Sequence, residues 1–206
     1  MKNYHKIFIL FAGLLIWSVA ISSEAAWYSS YYSTMEQPSG VSEQIKSAVE
    51  FNVKPIDFSA INPQDLGYKN SGEWDADRVG VPKAFMDAFP SLLAEAKMNN
   101  KKVSVMANDE KISTGIIVDV AVTKIILKWN FMTTKPDEFI CKITFTNATD
   151  GQVLFTGMVN VNSRSGNPIA QGWKMSFSSR LNLATHNIAW VLTKIMAHGK
   201  IDPANY

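Results

Sequence analysis

The spacing of apolar positions changes from segment to segment along the chain, and each spacing predicts an element. Val49, Phe51 and Val53 alternate with Glu50, Asn52 and Lys54, the two-residue period of a half-buried strand, which should end near Pro55. From Val81 the period lengthens. Phe85, Phe89, Leu92, Leu93 and Ala96 recur at three- and four-residue steps behind Pro82, a residue suited to a first helical turn, and predict an amphipathic helix. Pro90 falls inside it and removes an amide donor, so a kink, or two short helices meeting at Phe89 and Pro90, is expected. After Asn99-Asn100, residues 101–106 read as a short strand. Ile116, Val118, Val120 and Val122 then alternate cleanly, but beyond Lys124 the apolar set becomes Ile125, Leu127, Trp129 and Phe131. One extra residue accounts for the slip of phase, so a β-bulge is expected near Thr123-Lys124.

The next two strands can be registered against each other. Cys141, Ile143 and Phe145 share one face, and Val153, Phe155, Val159 and Val161 share another across the turn Ala148-Thr149-Asp150-Gly151. A two-residue Asp-Gly loop would oppose Phe145 to Thr156 and mix the faces. A three-residue loop with Gly151 at positive φ opposes Phe145 to Phe155 and Ile143 to a glycine at position 157, and burial selects it. Lys142, Thr144, Thr156 and Asn160 then form a polar outer face. Residues 162–176 are a second glycine-containing loop, after which Leu181, Ala184, Ile188, Val191, Leu192 and Ile195 make a helical stripe closing at Gly199. The order β-α-β-β-β-β-α, a parallel unit followed by a meander and a covering helix, predicts a two-layer α/β sandwich. Its mixed sheet should carry both helices on one face.

Upstream, Lys2 and Lys6 precede an apolar run over Ile7–Ile21, and Ser23-Glu24-Ala25 places small residues before a cleavage point. This is the layout of a signal peptide over residues 1–25. The run of fifteen residues is shorter than the roughly 17 to 25 that span a bilayer, which favours cleavage over a retained anchor. No second apolar span follows, so the mature chain should be exported completely, periplasmic or secreted, with no membrane span of its own. Residues 26–44 have no sustained period and read as a flexible aromatic leader ahead of a single α/β domain over 45–206. Deleting residues 27–44 should therefore leave folding intact. Residues 59–80 are polar and rich in turn formers, a long loop.

Composition narrows the chemistry. Of 206 residues 47% are hydrophobic and 18% charged, as in an ordinary globular domain. Twenty Lys and Arg against eighteen Asp and Glu leave a net charge of +2 with the bases scattered, so nucleic acid is not an expected partner. One cysteine, Cys141, rules out an intramolecular disulfide and thiolate-rich metal sites. It should point into the core, where a thiol is inert. No nucleotide-binding, metalloprotease or serine-hydrolase motif occurs, and no cofactor or metal is expected. His186 and His198 lie twelve residues apart on one predicted helix, about 18 Å at 1.5 Å per residue, too far to share a metal. His186 is four residues from Trp190 at the edge of the stripe, and His198 suits the helix end. Glu73, Asp75 and Asp77 alternate in the 59–80 loop without the spacing of a calcium loop, and read as solvated charge. Two segments are candidate contact sites: Trp27, Tyr28, Tyr31 and Tyr32 in the leader, and Arg164, Asn167 and Trp173 in the second loop. In that loop the same residue types also serve a simple chain reversal.

The opening strand VEFNVKPIDF, the strand GIIVDVAVTKI and the hairpin ITFTNATDGQVLFTG resemble a group of bacterial envelope proteins over residues 45 to 198. The group comprises the amino-terminal domain of the curli secretion channel, the Pel-polysaccharide export lipoprotein and the lipoprotein activator of penicillin-binding proteins. The chain departs from the group in having no lipidation cysteine after its signal and no channel-forming hairpins. The resemblance implies a periplasmic accessory domain for envelope assembly or export, without catalysis, whose partner is an envelope protein or further copies of itself. Two rivals stand beside it: a secreted hydrolase with its site in the 59–80 and 162–176 loops, and a small-ligand carrier with a cavity between helices and sheet.

Overall fold

The computed structural model describes residues 31–106, 112–129, 135–165 and 176–201. Six strands form one sheet: β1 (Tyr32–Glu36), β2 (Glu50–Val53), β3 (Lys102–Val105), β4 (Ile116–Ile126), β5 (Glu138–Asn147) and β6 (Val153–Asn162). Their order is β1-β6-β5-β4-β2-β3, with β2 parallel to both its neighbours and the remaining pairs antiparallel. The helices are α1 (Glu43–Ser47), α2 (Ser71–Arg78), α3 (Val81–Glu95) and α4 (Phe177–His198). The first three all pack against α4, which itself packs on β6, so the helices form one layer. The architecture is the expected α/β sandwich with a mixed sheet.

The core lies between the layers. Phe51, Val118, Val120, Phe139, Ile143, Phe145, Phe155 and Val159 from the strands are buried against Ile188, Val191, Leu192 and Ile195 of α4. Each such side chain contributes about 1.5–3 kcal/mol on leaving water. Ser176 starts α4, its hydroxyl accepting from the Ser179 amide at 3.2 Å. Gly199 ends it at φ +68°, where a Cβ would sit 2.4 Å from the carbonyl oxygen of Ser42. No larger residue fits that closure.

Both register expectations are met. Val122 opposes Cys141 and Lys124 opposes Ile140, leaving Thr123 as the bulged residue. Phe145 opposes Phe155, and Ile143 opposes the glycine at 157. The turn between them is built differently. Asn147 donates its amide to Gln152 and accepts from Gly151, so four residues span the reversal, and Leu154 bulges to restore the register. Gly151 takes the expected positive φ, +74°.

Several expectations change. The segment 26–44 contains structure: Tyr32–Glu36 pairs with β6 at the sheet edge, and Glu43–Ser47 is a short helix capped by Ser42. The 59–80 segment holds a 3-10 turn at Pro63–Leu66 and helix α2, whose only buried residue is Trp74. A helix with one apolar contact has no stripe to read. Finally, α3 runs unbroken through Pro90. Pro90 and Met86 are exposed, so the carbonyl that Pro90 leaves unpaired lies on the solvent side, where water satisfies it. The strand expected to reach Phe131 ends at Ile126, and Phe131 itself lies outside the described residues.

Candidate functional site

Beyond β2 the chain does not leave the sheet at once. Lys54 donates its amide to Val118, Asp57 donates to Val120, and Val122 donates to Asp57, so residues 54–57 continue alongside β4. On the other side β3 stops earlier, its last bond running from the Met106 amide to the Val53 carbonyl. A cleft of about 890 Å³ opens where the two diverge. Pro55–Ser59 form one wall, Val105 and Met106 one end, and Trp74, Arg78, Val81 and Phe85 of α2 and α3 the opposite wall.

The floor is an aromatic cluster. Trp74 meets Phe58 edge-on at 5.8 Å and Tyr68 at 5.5 Å, and Phe177 of α4 closes the group. Arg78, one helical turn after Trp74, lays its guanidinium 5.0 Å from the Trp74 ring and 5.6 Å from that of Phe58 while pairing with Asp75. The acidic alternation of the sequence is resolved by this helix. Positions two apart on a helix point in different directions, and each carboxylate has its own partner. Glu73 accepts from the Lys69 amide at 3.1 Å, Asp75 pairs with Arg78, and Asp77 accepts from the Tyr68 hydroxyl at 2.5 Å. Burial and that carboxylate both hold the Tyr68 phenol protonated well above its usual range. On the facing wall Asp57 accepts from the amide and hydroxyl of Ser59 at 2.8 and 3.0 Å. The carboxylates are thus committed to shaping the cleft. Among the described residues no group of His, Cys, Asp and Glu side chains could hold a metal ion.

A smaller groove of about 360 Å³ lies between α3 and α4, and it brings together two of the residues singled out in the sequence, Tyr31 and Arg164, with Glu95, His186 and Trp190. Asn187, itself buried, donates to the carbonyls of Asn162 and Arg164 at 2.8 and 3.0 Å and so fixes the backbone that carries Arg164. Tyr31 and Tyr32 are not displayed to a partner. They are buried and meet Trp190 edge-on at 5.2 and 6.0 Å. Trp27, Tyr28, Asn167 and Trp173 lie outside the described residues. His186 is exposed on one side, and partial burial of the other lowers its imidazole below its ordinary pKa, a shift that the charge of Glu95 opposes. No hydrogen bond joins the two, so they do not form an acid–base dyad. Cys141 is fully buried, its thiol pushed up to about 12 by the loss of water around it.

A third polar cluster is structural. Arg180 donates through Nε to Asp137 at 2.6 Å with both side chains buried. The other Asp137 oxygen accepts from the amides of Lys128 and Trp129, and Ser163 exchanges bonds with the Asp137 backbone. Arg180 also lies 4.7 Å over the Trp129 ring. The network joins the ends of β4, β5 and β6 to the first turn of α4. Removing one partner of so deeply buried a pair costs about 3–5 kcal/mol. Neither this pair nor the cleft residues stood out in the sequence, although Trp74 and Arg78 at i and i+4 were a readable cue once a helix was granted.

No family profile matches the chain, and no curated protein does. Among solved structures it is similar to the PelC dodecamer from Paraburkholderia phytofirmans, at 14% identity and a TM-score of 0.43, over 81% of this chain and 98% of that one. A Leu-to-Met variant of the same dodecamer in another crystal form gives 13% identity and a TM-score of 0.40 over the same shares. Likeness at this level is one of general arrangement, and nothing about function follows from it.

Proposed function

We propose that the protein is a non-catalytic interaction module, exported to the periplasm, that serves cell-envelope assembly or export by binding an envelope protein or further copies of itself. The observation that carries this reading is the sheet face turned away from the helices. All four helices lie on the other side, and no described element covers Ile117, Ala121, Ile140 and Met158, which are half-buried between Asp119, Lys142, Thr144 and Thr156. A surface that alternates aliphatic and polar side chains over three strands suits a partner better than bulk water. The export signal read in residues 1–25 supplies the compartment. The buried thiol and the committed carboxylates favour binding over hydrolysis.

Light scattering of the purified protein, with affinity capture from its own envelope extract, tests the reading. A mass above the monomer, or one specific partner, is expected, and Ile140→Glu should abolish it while the far-UV circular dichroism stays unchanged. A monomer that captures nothing, or capture indifferent to Ile140→Glu, would overturn it.

A further inference from the structure

The cleft beside β2 carries an unsatisfied strand edge. Residues 54–57 bond to β4 on one side only, and on the other side no described residue pairs with them once β3 has ended at Met106. Pro55 has no amide hydrogen, and the Ile56 amide has no acceptor among the described residues. Among the described residues the sheet is one strand short along this stretch. The missing strand would run over an apolar bed, because Ile56, Phe58, Val81 and Phe85 are buried beneath the opening while Val105 and Met106 are partly exposed at its end. Successive side chains of an extended segment point to opposite faces, so every second one would enter the cleft. The charge at the mouth is also defined. Asp57 and Asp75 are exposed, whereas Arg78 is drawn back onto the faces of Phe58 and Trp74 and already paired with Asp75. The lining therefore holds two carboxylates against one guanidinium.

We propose that this cleft is a strand-addition site for an extended peptide segment of alternating apolar residues carrying one basic side chain, which pairs with the backbone of Pro55 and Ile56 and places its cation against the Asp57 and Asp75 carboxylates. The proposal rests on the protein being a binding module and names one of its partners' features. The occupant needs no fold of its own, since the backbone edge supplies the pairing and the apolar bed the alternate pockets.

The test uses the full chain and a defined probe, the blocked hexapeptide Lys-Val-Thr-Val-Thr-Val, followed by amide chemical shifts. Saturable changes are expected at Ile56, Val105 and Met106. Replacing the peptide's Lys by Glu, N-methylating its alternate amides, or introducing Met106→Glu into a protein whose spectrum stays dispersed should each weaken binding about tenfold, the effect of losing one good polar or packing contact. No change at millimolar peptide overturns the proposal, as does equal affinity for the N-methylated or Glu peptide. Slow hydrogen exchange at Ile56 in the free protein also overturns it, because the chain's own residues would then fill the edge. A partner captured by the open sheet face and indifferent to Met106→Glu would remove this proposal while leaving the binding-module reading standing.

Discussion

His186 stands in the smaller groove with Glu95 across from it and Trp190 one turn further along α4. Loss of solvation favours its neutral form, so its native pKa lies below 6.5, while Glu95 limits the displacement. The sign follows from linkage. An unfolded chain takes up the proton first as pH falls, so the stability this residue contributes is complete above pH 6.5 and is lost as pH drops through the lower native value. A proton NMR titration of the ring should give a midpoint below 6.5 that moves further down in Glu95→Gln. A midpoint at or above 6.5, or one untouched by the substitution, would show that water and not the groove sets its proton affinity. The sequence had placed this histidine correctly, at the edge of an apolar stripe beside an indole. Glu95 was not foreseen, because it arrives from another helix, and a spacing pattern reports only neighbours on the same element.

At the level of elements, legibility followed the strength of the pattern. β4, β5 and β6 alternate over ten or eleven residues, and their pairing was read from that, including a bulge near Thr123-Lys124, while the end of β4 and the build of the β5–β6 turn were not. β1 was missed because only Tyr32 of its five residues is buried, and its partner Val161 lies far along the chain. That difference reverses the expectation for the amino-terminal segment. Tyr31 and Tyr32 pack on Trp190, and Asn162 donates its amide to the Tyr31 carbonyl, so this stretch closes the core instead of trailing from it. Trp190→Ala should destabilise the protein by about 3 kcal/mol, the lower end for a large aromatic because the indole is only partly buried. Deleting residues 27–44 should cost at least as much, as urea unfolding will show. An unchanged urea midpoint for the deletion would return the segment to the role of a mere leader.

For the whole molecule, the sheet order decides which parts open first. β5 is bonded on both sides by long antiparallel partners and covered by the helical layer, whereas β3 has four residues and, among the described residues, one partner and an outer edge. The Lys102 and Met106 amides bond to Val49 and Val53, so by the alternation of a strand the Val103 and Val105 amides face outward. An edge left like this is where proteins guard against unwanted pairing, and Lys101 and Lys102 at its start serve that purpose. Lys101 is half withdrawn from this duty, its ammonium donating to the carbonyls of Lys46 and Ala48 at 2.8 and 2.6 Å and so tying α1 to the start of β3. Native-state hydrogen exchange should therefore rank the interior amides of β5 slowest, at the free energy of global unfolding, with Val103 and Val105 exchanging through small local fluctuations. Equal protection of Val103, Val105 and the β5 amides in the isolated protein would mean that something already covers the edge. Dilution then separates the possibilities: protection that fades with concentration identifies a second copy, and protection that persists identifies the chain itself.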